Sequence, residues 1–361
     1  MIRKTKNPEI ADGMFVEYLL NNCEEQEHYV EKTVEITRYL YYSGHLYEAS
    51  KESLKFNNSY LRQMKMALNK TVTIGMIQTK VSENISANIA NAEEKIREAA
   101  KRGARIICLQ ELFRTTYFPC KEKQDATTLA ETIPGDSTRA FSSLAKEYGV
   151  VIIVPLFERG EDGNYYNSVV VINDDGELMD TYRKIHIPHD PFFYEKNYFK
   201  PGNLGYHVYK TRYASFSVLI CYDQWFPEAA RINVLNGADI LFYPTAIGWI
   251  KNEMPPEDDW HDAWETIQRS HAIANGVHVA AVNRVGEEND LKFWGSSFVC
   301  DPFGKLLKIA SNEEEEVLVV DLYLDKNKEI RESWGFLRNR RPDTYGTLSD
   351  PVIEMGDFHE E

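Results

Sequence analysis

The chain has 361 residues, of which 43% are hydrophobic and 27% charged, with a formal net charge of -15. These values are typical of a globular protein, and the acidic balance argues against nucleic acid or an anionic membrane surface as a partner. No apolar run approaches the roughly 18 residues of a membrane helix, and the N-terminus lacks the apolar segment of a secretion signal. The five cysteines show no paired spacing, which favours reduced thiols in a cytoplasmic protein.

Residues 1–70 differ from the rest of the chain. They are rich in Glu, Lys, Asn and Tyr, and apolar residues such as Phe15, Tyr18 and Leu19 recur at helical intervals. The pattern predicts two or three amphipathic helices and no strands. We therefore expect a helical N-terminal extension that packs on the main domain or on a neighbouring subunit.

Strands and helices alternate after this extension. The buried strand ARIICLQ delivers Glu111 at its C-terminal end, after a first strand and an amphipathic helix that Gly103 ends. Another buried strand, VVIIVPLF, precedes a predicted hairpin. Its arms are residues 165–173 and 177–185, and the second arm carries Lys184.

The stretch from Ser215 to Pro244 predicts a strand, a helix and a second strand. Cys221 stands where the first strand gives way to the helix, and Pro227 and Gly237 suit the start and the end of that helix. A cysteine at such a junction projects its sulfur at the top of a sheet, where free backbone N–H groups favour a thiolate. A core cysteine that merely ends a strand is the alternative reading.

The remaining chain adds a helix, further strands and a tail. Strand patterns occur at residues 277–282, 297–300, 305–309 and 316–324, and the tail from about residue 325 is polar and arginine-rich with no strand pattern. The pattern over residues 71–361 thus predicts one α/β domain, which includes the tail. Its mixed sheets are expected to be covered by helices on the outside.

Three chemically distinct side chains are expected at strand ends: Glu111, Lys184 and Cys221. Each alone has an ordinary structural explanation, as a helix cap, a solvated charge or a core thiol. Together they form an acyl-transfer site in which Cys221 attacks a carbonyl or nitrile carbon and Glu111 moves the proton. Lys184 and the backbone N–H of Tyr222 would stabilise the oxyanion. This chemistry requires no metal and no organic cofactor.

The motifs LQELF, YRKIHIP and ICYDQWFPEAAR carry these residues in an order and at a spacing that resemble the nitrilase, or carbon–nitrogen hydrolase, superfamily. The resemblance implies an α-β-β-α sandwich and a Glu–Lys–Cys triad at Glu111, Lys184 and Cys221. It also implies a second glutamate, at Glu195 in FFYEKNYFKPG, that supports the lysine and positions the substrate. Members commonly form homodimers or larger homo-oligomers through helix faces and the tail.

Within the superfamily, CYDQWFPEAARINVLNGADILFYPTAIG is most similar to the branch that hydrolyses N-carbamoylputrescine. The implied reaction converts a small N-carbamoyl amine into the free amine, carbon dioxide and ammonia through a thioester on Cys221. The N-terminal extension departs from this branch, and its length is similar to that of β-ureidopropionases. A β-ureidopropionase, or another N-carbamoyl amino acid or ω-amide hydrolase, therefore remains an alternative. A non-catalytic binding module of the same fold is the alternative from a different class.

Acidic and aromatic residues are candidates for contacts with the far end of a cationic substrate. Asp258 and Asp259 would meet the amine, and Tyr117 and Trp249 would wall the pocket. The structural alternatives are solvated acids that cap the following helix and aromatic residues of the core. His186 and His189, in HIPH, have no third ligand at a sensible spacing, so a structural role is preferred to a metal site.

Overall fold

The computed structural model describes residues 70–251 and 260–350. The helical extension predicted before residue 70 lies outside the described residues, as do Asp258 and Asp259. In the two described ranges, no helix combines the length and the apolar character needed to cross a membrane.

The first sheet has six strands in the order β15-β1-β2-β3-β4-β5. β1, β2 and β3 are mutually parallel, and the other pairings are antiparallel. β5 therefore runs in the same direction as β2. The bounds are β1 (Thr71–Gln78), β2 (Ile106–Leu109), β3 (Val151–Arg159), β4 (Tyr165–Ile172), β5 (Leu178–Arg183) and β15 (Glu316–Tyr323).

The second sheet has six strands in the order β14-β13-β10-β8-β7-β6. β7, β8 and β10 are parallel, and the outer pairings are antiparallel. The bounds are β6 (Tyr209–Lys210), β7 (Ser215–Val218), β8 (Ile240–Thr245), β10 (His278–Asn283), β13 (Phe298–Cys300) and β14 (Leu306–Ile309).

The two large sheets pack face to face. Alternate side chains of the first sheet, such as Ile74 and Met76, share one buried apolar cluster with Phe216, Val218 and other residues of the second sheet. This alternation follows from the period of two in a strand, which sends successive side chains to opposite faces. The apolar layer between the sheets is the centre of the domain.

Helices cover the outer faces of both sheets. α1 (Ile85–Lys101) and α2 (Asp136–Tyr148) bury their apolar side chains, such as Ile96 and Phe141, against the first sheet. α3 (Pro227–Leu235) and α4 (Trp260–Asn275) pack against the second sheet. The predicted α-β-β-α sandwich is confirmed.

Two features were not predicted from the sequence. A small third sheet joins β9 (Gly248–Ile250), β11 (Val285–Glu288) and β12 (Leu291–Trp294) in the order β11-β12-β9. The tail contains a helix, α5 (Asp325–Trp334), which ends at Gly335 in the left-handed conformation that glycine adopts at helix ends.

Candidate active site

The predicted triad residues lie just beyond the C-terminal ends of strands. Glu111 follows β2 and Lys184 follows β5, and these two strands point the same way within the first sheet. Cys221 follows β7 of the second sheet, which packs against the first. The fold thus brings residues from distant parts of the chain to one region of the sandwich.

Lys184 lies between two carboxylates. Its Nζ is 2.9 Å from Glu111 Oε1 and 2.6 Å from Glu195 Oε2, and none of the three side chains has exposed surface. Burial alone would lower the pKa of the ammonium, but the negative charges of Glu111 and Glu195 outweigh it and raise the pKa above its ordinary value. Lys184 is therefore a permanently cationic group.

Glu195 is held by a second donor. The hydroxyl of Tyr117 donates to Glu195 Oε1 at 2.6 Å. Burial raises the pKa of Tyr117 well above its usual range, and the Glu195 charge adds to this effect, so the phenol keeps its proton. Burial also raises the pKa of the Glu195 carboxyl, against the opposing effect of Lys184. Tyr117, predicted as a pocket wall, is fully buried and bound to Glu195.

Glu111 keeps one oxygen available. Asn167, in β4, donates from Nδ2 to Glu111 Oε1 at 2.7 Å, the same oxygen that Lys184 contacts. The other oxygen, Oε2, is buried and has no hydrogen-bond partner among the described residues. A buried, unpaired carboxylate oxygen is costly, which is typical of a group retained for chemistry. Its position suits the acceptance of a proton.

Cys221 begins a short 3₁₀ helix, Cys221–Trp225, with a φ of 43°. Such a positive φ strains a residue other than glycine and is common at functional sites. The side chain is 6% exposed. Ile220 donates its backbone N–H to Asp223 Oδ2 at 2.9 Å, which closes the turn around the cysteine.

The resting sulfur is a thiol, which corrects the expectation of a thiolate. Burial raises the pKa of Cys221 well above its ordinary value, and the negative charge of Glu111 raises it further. Lys184 and a hydrogen bond from the Ala246 backbone act in the opposite direction but do not prevail. The 3₁₀ turn also separates Cys221 from the start of α3, so the helix N-terminus does not reverse the effect of burial.

Asp223 connects the cysteine turn to the segment that carries the lysine. Its Oδ2 accepts from the Tyr182 hydroxyl at 2.7 Å, and its Oδ1 accepts from the His186 backbone N–H at 3.0 Å. The His186 ring contacts the same Oδ1 through Nδ1 and stacks on Phe226 at a centroid distance of 3.7 Å. These contacts fit the structural role expected of His186. Among the described residues, no group of three or more His, Cys, Asp or Glu could hold a metal ion.

Of the other predicted site residues, the structure describes Tyr222 and Trp249 but not Asp258 and Asp259. Tyr222 follows Cys221 directly, and its half-buried ring packs on Phe226 at 5.5 Å. Trp249 lies in β9 and packs on Trp294 at a ring-centroid distance of 5.1 Å, in a group of aromatic rings.

A cavity of about 640 Å³ lies elsewhere, and none of its lining residues belongs to the candidate active site. They are Arg231, Thr266, Arg269, Ser270, Ile273, Ala274 and Phe336.

Two of the contacts at the site escaped the sequence interpretation. Asn167 is a polar residue within a strand, and Asp223 lies within the ICYDQWFPEAAR motif but received no role from the sequence. The short spacing between Cys221 and Asp223 is the only local signal that could have identified the latter as a cap of the cysteine turn.

Known proteins resemble this chain over most of its length. A family model for carbon–nitrogen hydrolases matches residues 70–332. The chain is 44% identical over 301 residues to an N-carbamoylputrescine amidase of Solanum lycopersicum, covering 79% of this chain and 98% of that protein. It is 40% identical over 283 residues to a citrullinase of Francisella tularensis, covering 77% and 98%.

A solved structure gives the same answer for the fold. The crystal structure of a carbon–nitrogen hydrolase from Helicobacter pylori G27 superposes with a TM-score of 0.75 at 40% identity, and it covers 78% of this chain and 100% of that one. The match of fold, family model and relatives extends across both large sheets. The chain therefore belongs to the carbon–nitrogen hydrolase family and is an enzyme that hydrolyses amide-type C–N bonds.

Proposed function

We propose that this enzyme hydrolyses a small N-carbamoyl amine, with N-carbamoylputrescine as the preferred substrate, through a thioester on Cys221. The observation that carries the proposal is the position of Lys184, which lies within 2.9 Å of both Glu111 and Glu195 and acts electrostatically on the Cys221 thiol. A nucleophile, a base and a fixed cation together meet the requirements of acyl transfer.

In the first half-reaction, the Cys221 sulfur attacks the carbamoyl carbon while Glu111 takes the thiol proton through its unpaired Oε2. The carbonyl oxygen becomes an oxyanion, stabilised by the Lys184 ammonium and the Tyr222 backbone N–H. The intermediate collapses as the C–N bond breaks, and Glu111 gives its proton to the departing ammonia. An N-alkylcarbamoyl thioester remains on the sulfur.

In the second half-reaction, water attacks the thioester carbon and Glu111 accepts a proton from that water. The new oxyanion occupies the same position beside Lys184. Collapse breaks the C–S bond, and the sulfur takes its proton back from Glu111. The released N-alkyl carbamic acid loses carbon dioxide to give the free amine, so one water is consumed and ammonia, carbon dioxide and amine are formed.

Glu195 supports the lysine in this scheme. It pairs with Lys184 and is itself fixed by Tyr117, so the ammonium is directed without the loss of its charge. A cation that is fully desolvated and already oriented stabilises a developing oxyanion without further reorganisation.

The choice of substrate rests on the relatives. Sequences from four plants with 43–44% identity are N-carbamoylputrescine amidases, over 77–79% of this chain. The net charge of -15 is compatible with the attraction of a cationic amine. The citrullinase relative keeps an N-carbamoyl amino acid as the second candidate, because citrulline carries the same carbamoyl group on its side-chain nitrogen and has an α-amino and an α-carboxylate group at its far end.

The decisive experiment compares ammonia release from N-carbamoylputrescine, 3-ureidopropionate and citrulline with one enzyme preparation. We expect the highest kcat/KM for N-carbamoylputrescine. A clear preference for either amino acid would replace the proposed substrate. No release from any of them by the folded protein would exclude these three substrates and point to another amide, such as an ω-amide.

We also propose a cellular compartment, a class of partner and an oligomeric state for this enzyme. We expect a cytoplasmic protein that acts on a small molecule rather than on nucleic acid or a membrane. We also expect a homodimer or larger homo-oligomer that involves the tail from about residue 325. Light scattering coupled to size exclusion measures the mass in solution, and the mass of a single chain would contradict this part.

A further inference from the structure

Arg284 and Glu288 form a buried ion pair that no step of the mechanism uses. Arg284 directly follows β10, and Glu288 is the last residue of β11 in the small third sheet. We infer that this pair positions two side chains of the site, the Glu111 carboxyl and the Tyr117 hydroxyl, by fixing the backbone that joins them. The inference deepens the proposed function, because it rests on the role assigned there to Glu111.

The guanidinium of Arg284 reaches the turn that follows β2. Its Nη2 donates to the backbone oxygen of Glu111 at 3.0 Å and to that of Leu112 at 2.8 Å. A third acceptor, the backbone oxygen of Thr115, lies 3.2 Å away. The Arg284 side chain has no exposed surface, so water does not replace these contacts.

The turn that Arg284 holds is strained. Leu112 has a φ of 49°, in the left-handed region that is strained for a residue with a Cβ. Three carbonyl dipoles also point at one nitrogen, and they would repel each other without the positive charge between them. Because Leu112 directly follows Glu111, the conformation of this turn sets the direction in which the Glu111 side chain leaves the backbone.

Glu288 binds the other end of the segment from Glu111 to Tyr117, whose first residues are held by Arg284. Its two carboxylate oxygens accept from Arg284 Nη1 at 2.7 and 2.8 Å. Its Oε2 also accepts the backbone N–H of Tyr117 at 2.7 Å. One ion pair therefore fixes the backbone of both Glu111 and Tyr117, and Tyr117 in turn orients Glu195.

The end of β10 holds the nucleophile side of the site as well. Asn283, next to Arg284, accepts the Ile247 N–H and donates to the Ile247 carbonyl, both at 3.0 Å. Ile247 follows Ala246, whose backbone forms a hydrogen bond with the Cys221 sulfur. The adjacent residues Asn283 and Arg284 thus set the distance between the two halves of the site.

A lysine cannot replace this arginine. The planar guanidinium serves backbone oxygens with one nitrogen and a carboxylate with the other, whereas an ammonium offers a single point of charge. Arg284→Lys keeps the positive charge and an ion pair with Glu288. It loses some of the hydrogen bonds to the backbone oxygens of the turn after β2. Misplacement of a reacting group by about 1 Å can cost as much as 100-fold in rate.

The test measures kcat, KM and the alkylation of Cys221 in Arg284→Lys. We expect kcat to fall about tenfold or more while KM stays within about threefold, because the geometry of the reacting groups changes. Alkylation of Cys221 by iodoacetamide, followed by peptide mass spectrometry, should slow by a similar factor. This second measurement needs no carbamoyl substrate, so it tests the positioning role even where the proposed substrate is wrong.

Arg331→Lys is the matched control. Arg331 also donates to backbone carbonyls, those of Ala238 and Asn275, but these precede β8 and β10 at the opposite ends of the strands. We expect a comparable change in thermal unfolding and an unchanged kcat. Wild-type kcat and alkylation rate in Arg284→Lys, or equal losses in the control, would overturn the inference.

Glu288→Gln provides an independent test where Arg284→Lys does not fold. It keeps the shape of the side chain but removes the charge and one acceptor. The same pattern of a lower kcat, a nearly constant KM and slower alkylation is expected, at about threefold or more. Values equal to those of the wild type would again overturn the positioning role.

Discussion

Glu195 Oε2 and Lys184 Nζ are 2.6 Å apart, and neither side chain has any exposed surface. A buried ion pair of this kind contributes little to stability when compared with an apolar pair, because both charges lose their hydration. It does fix the position and the charge of the ammonium. The arrangement is therefore better explained by the need for a fixed cation than by the stability of the fold.

The first prediction concerns the removal of that cation. Lys184→Met keeps the length of the side chain but no longer stabilises the oxyanion, so kcat should fall by roughly 100- to 1,000-fold. Two carboxylates then face each other, and a lower melting temperature is also expected. Steady-state kinetics, corrected for the folded fraction, measure the loss. The exposed Lys210, at the outer edge of the second sheet, supplies the control Lys210→Ala, which should leave kcat unchanged.

A loss confined to KM would argue against the oxyanion role. Such a result would mean that Lys184 binds the ground state and the transition state equally well.

The second prediction concerns the nucleophile. Cys221→Ala removes the sulfur and little volume, so turnover should disappear while thermal unfolding changes only slightly. Cys300→Ala makes the same chemical change in β13, at a buried thiol that takes no part in the site, and should keep full activity. Intact mass spectrometry during turnover of a slow amide should detect an adduct on the wild-type protein and none on Cys221→Ala. Retained turnover in that variant would exclude Cys221 as the nucleophile.

The positions of the three proposed triad residues at strand ends were predictable because their signals are local. A run of apolar residues followed by a charged residue marks the end of a buried strand, and Glu111 follows such a run. Lys184 was placed instead by the turn residues between the two arms of the predicted hairpin. The strand, turn and helix around Cys221 are marked by Pro227 in the same local way. Glu195 was expected only through the resemblance to the superfamily, because the short turn that contains it has no apolar pattern.

The supporting contacts could not be predicted because they join distant parts of the chain. Arg284 meets the Glu111 backbone only because the third sheet lies beside the turn after β2. From the sequence, a charged residue after a strand indicates a solvated position, whereas Arg284 is fully buried. The β11–β12 hairpin also escaped prediction, since Glu287, Glu288, Asn289 and Asp290 resemble a loop. α5 escaped because Asn327 is its only buried residue, so it has no apolar stripe.

The third prediction concerns pH. The pKa of Cys221 is raised by burial and by Glu111, so the thiol is protonated at neutral pH. A free thiol below its pKa reacts about tenfold faster for each unit of pH, because the thiolate fraction grows. In the proposed mechanism the proton passes to Glu111 and is not released to solvent, so the alkylation rate of Cys221 should be nearly constant from about pH 6 to about pH 8. Rates from peptide mass spectrometry with iodoacetamide test this directly.

The matched variant for the pH prediction is Glu111→Gln. It removes the proton acceptor, so the alkylation rate should regain the ordinary rise of about tenfold per pH unit. A wild-type rate that already rises by this factor would show that the proton leaves to solvent, and Glu111 would lose its assignment as the base.

The last prediction compares two buried tyrosine hydroxyls, of which that of Tyr117 has a hydrogen-bond partner and that of Tyr209 has none among the described residues. Tyr117→Phe removes the donor to Glu195 Oε1, so the free energy of unfolding should fall by about 1–3 kcal/mol, and kcat should fall because Glu195 is less well oriented. The hydroxyl of Tyr209 is buried as well but has no hydrogen-bond partner among the described residues. Tyr209→Phe should therefore be neutral or stabilising and should leave kcat unchanged. Denaturant unfolding of both variants measures the difference, and equal losses would mean that the bond to Glu195 contributes nothing beyond the burial of the ring.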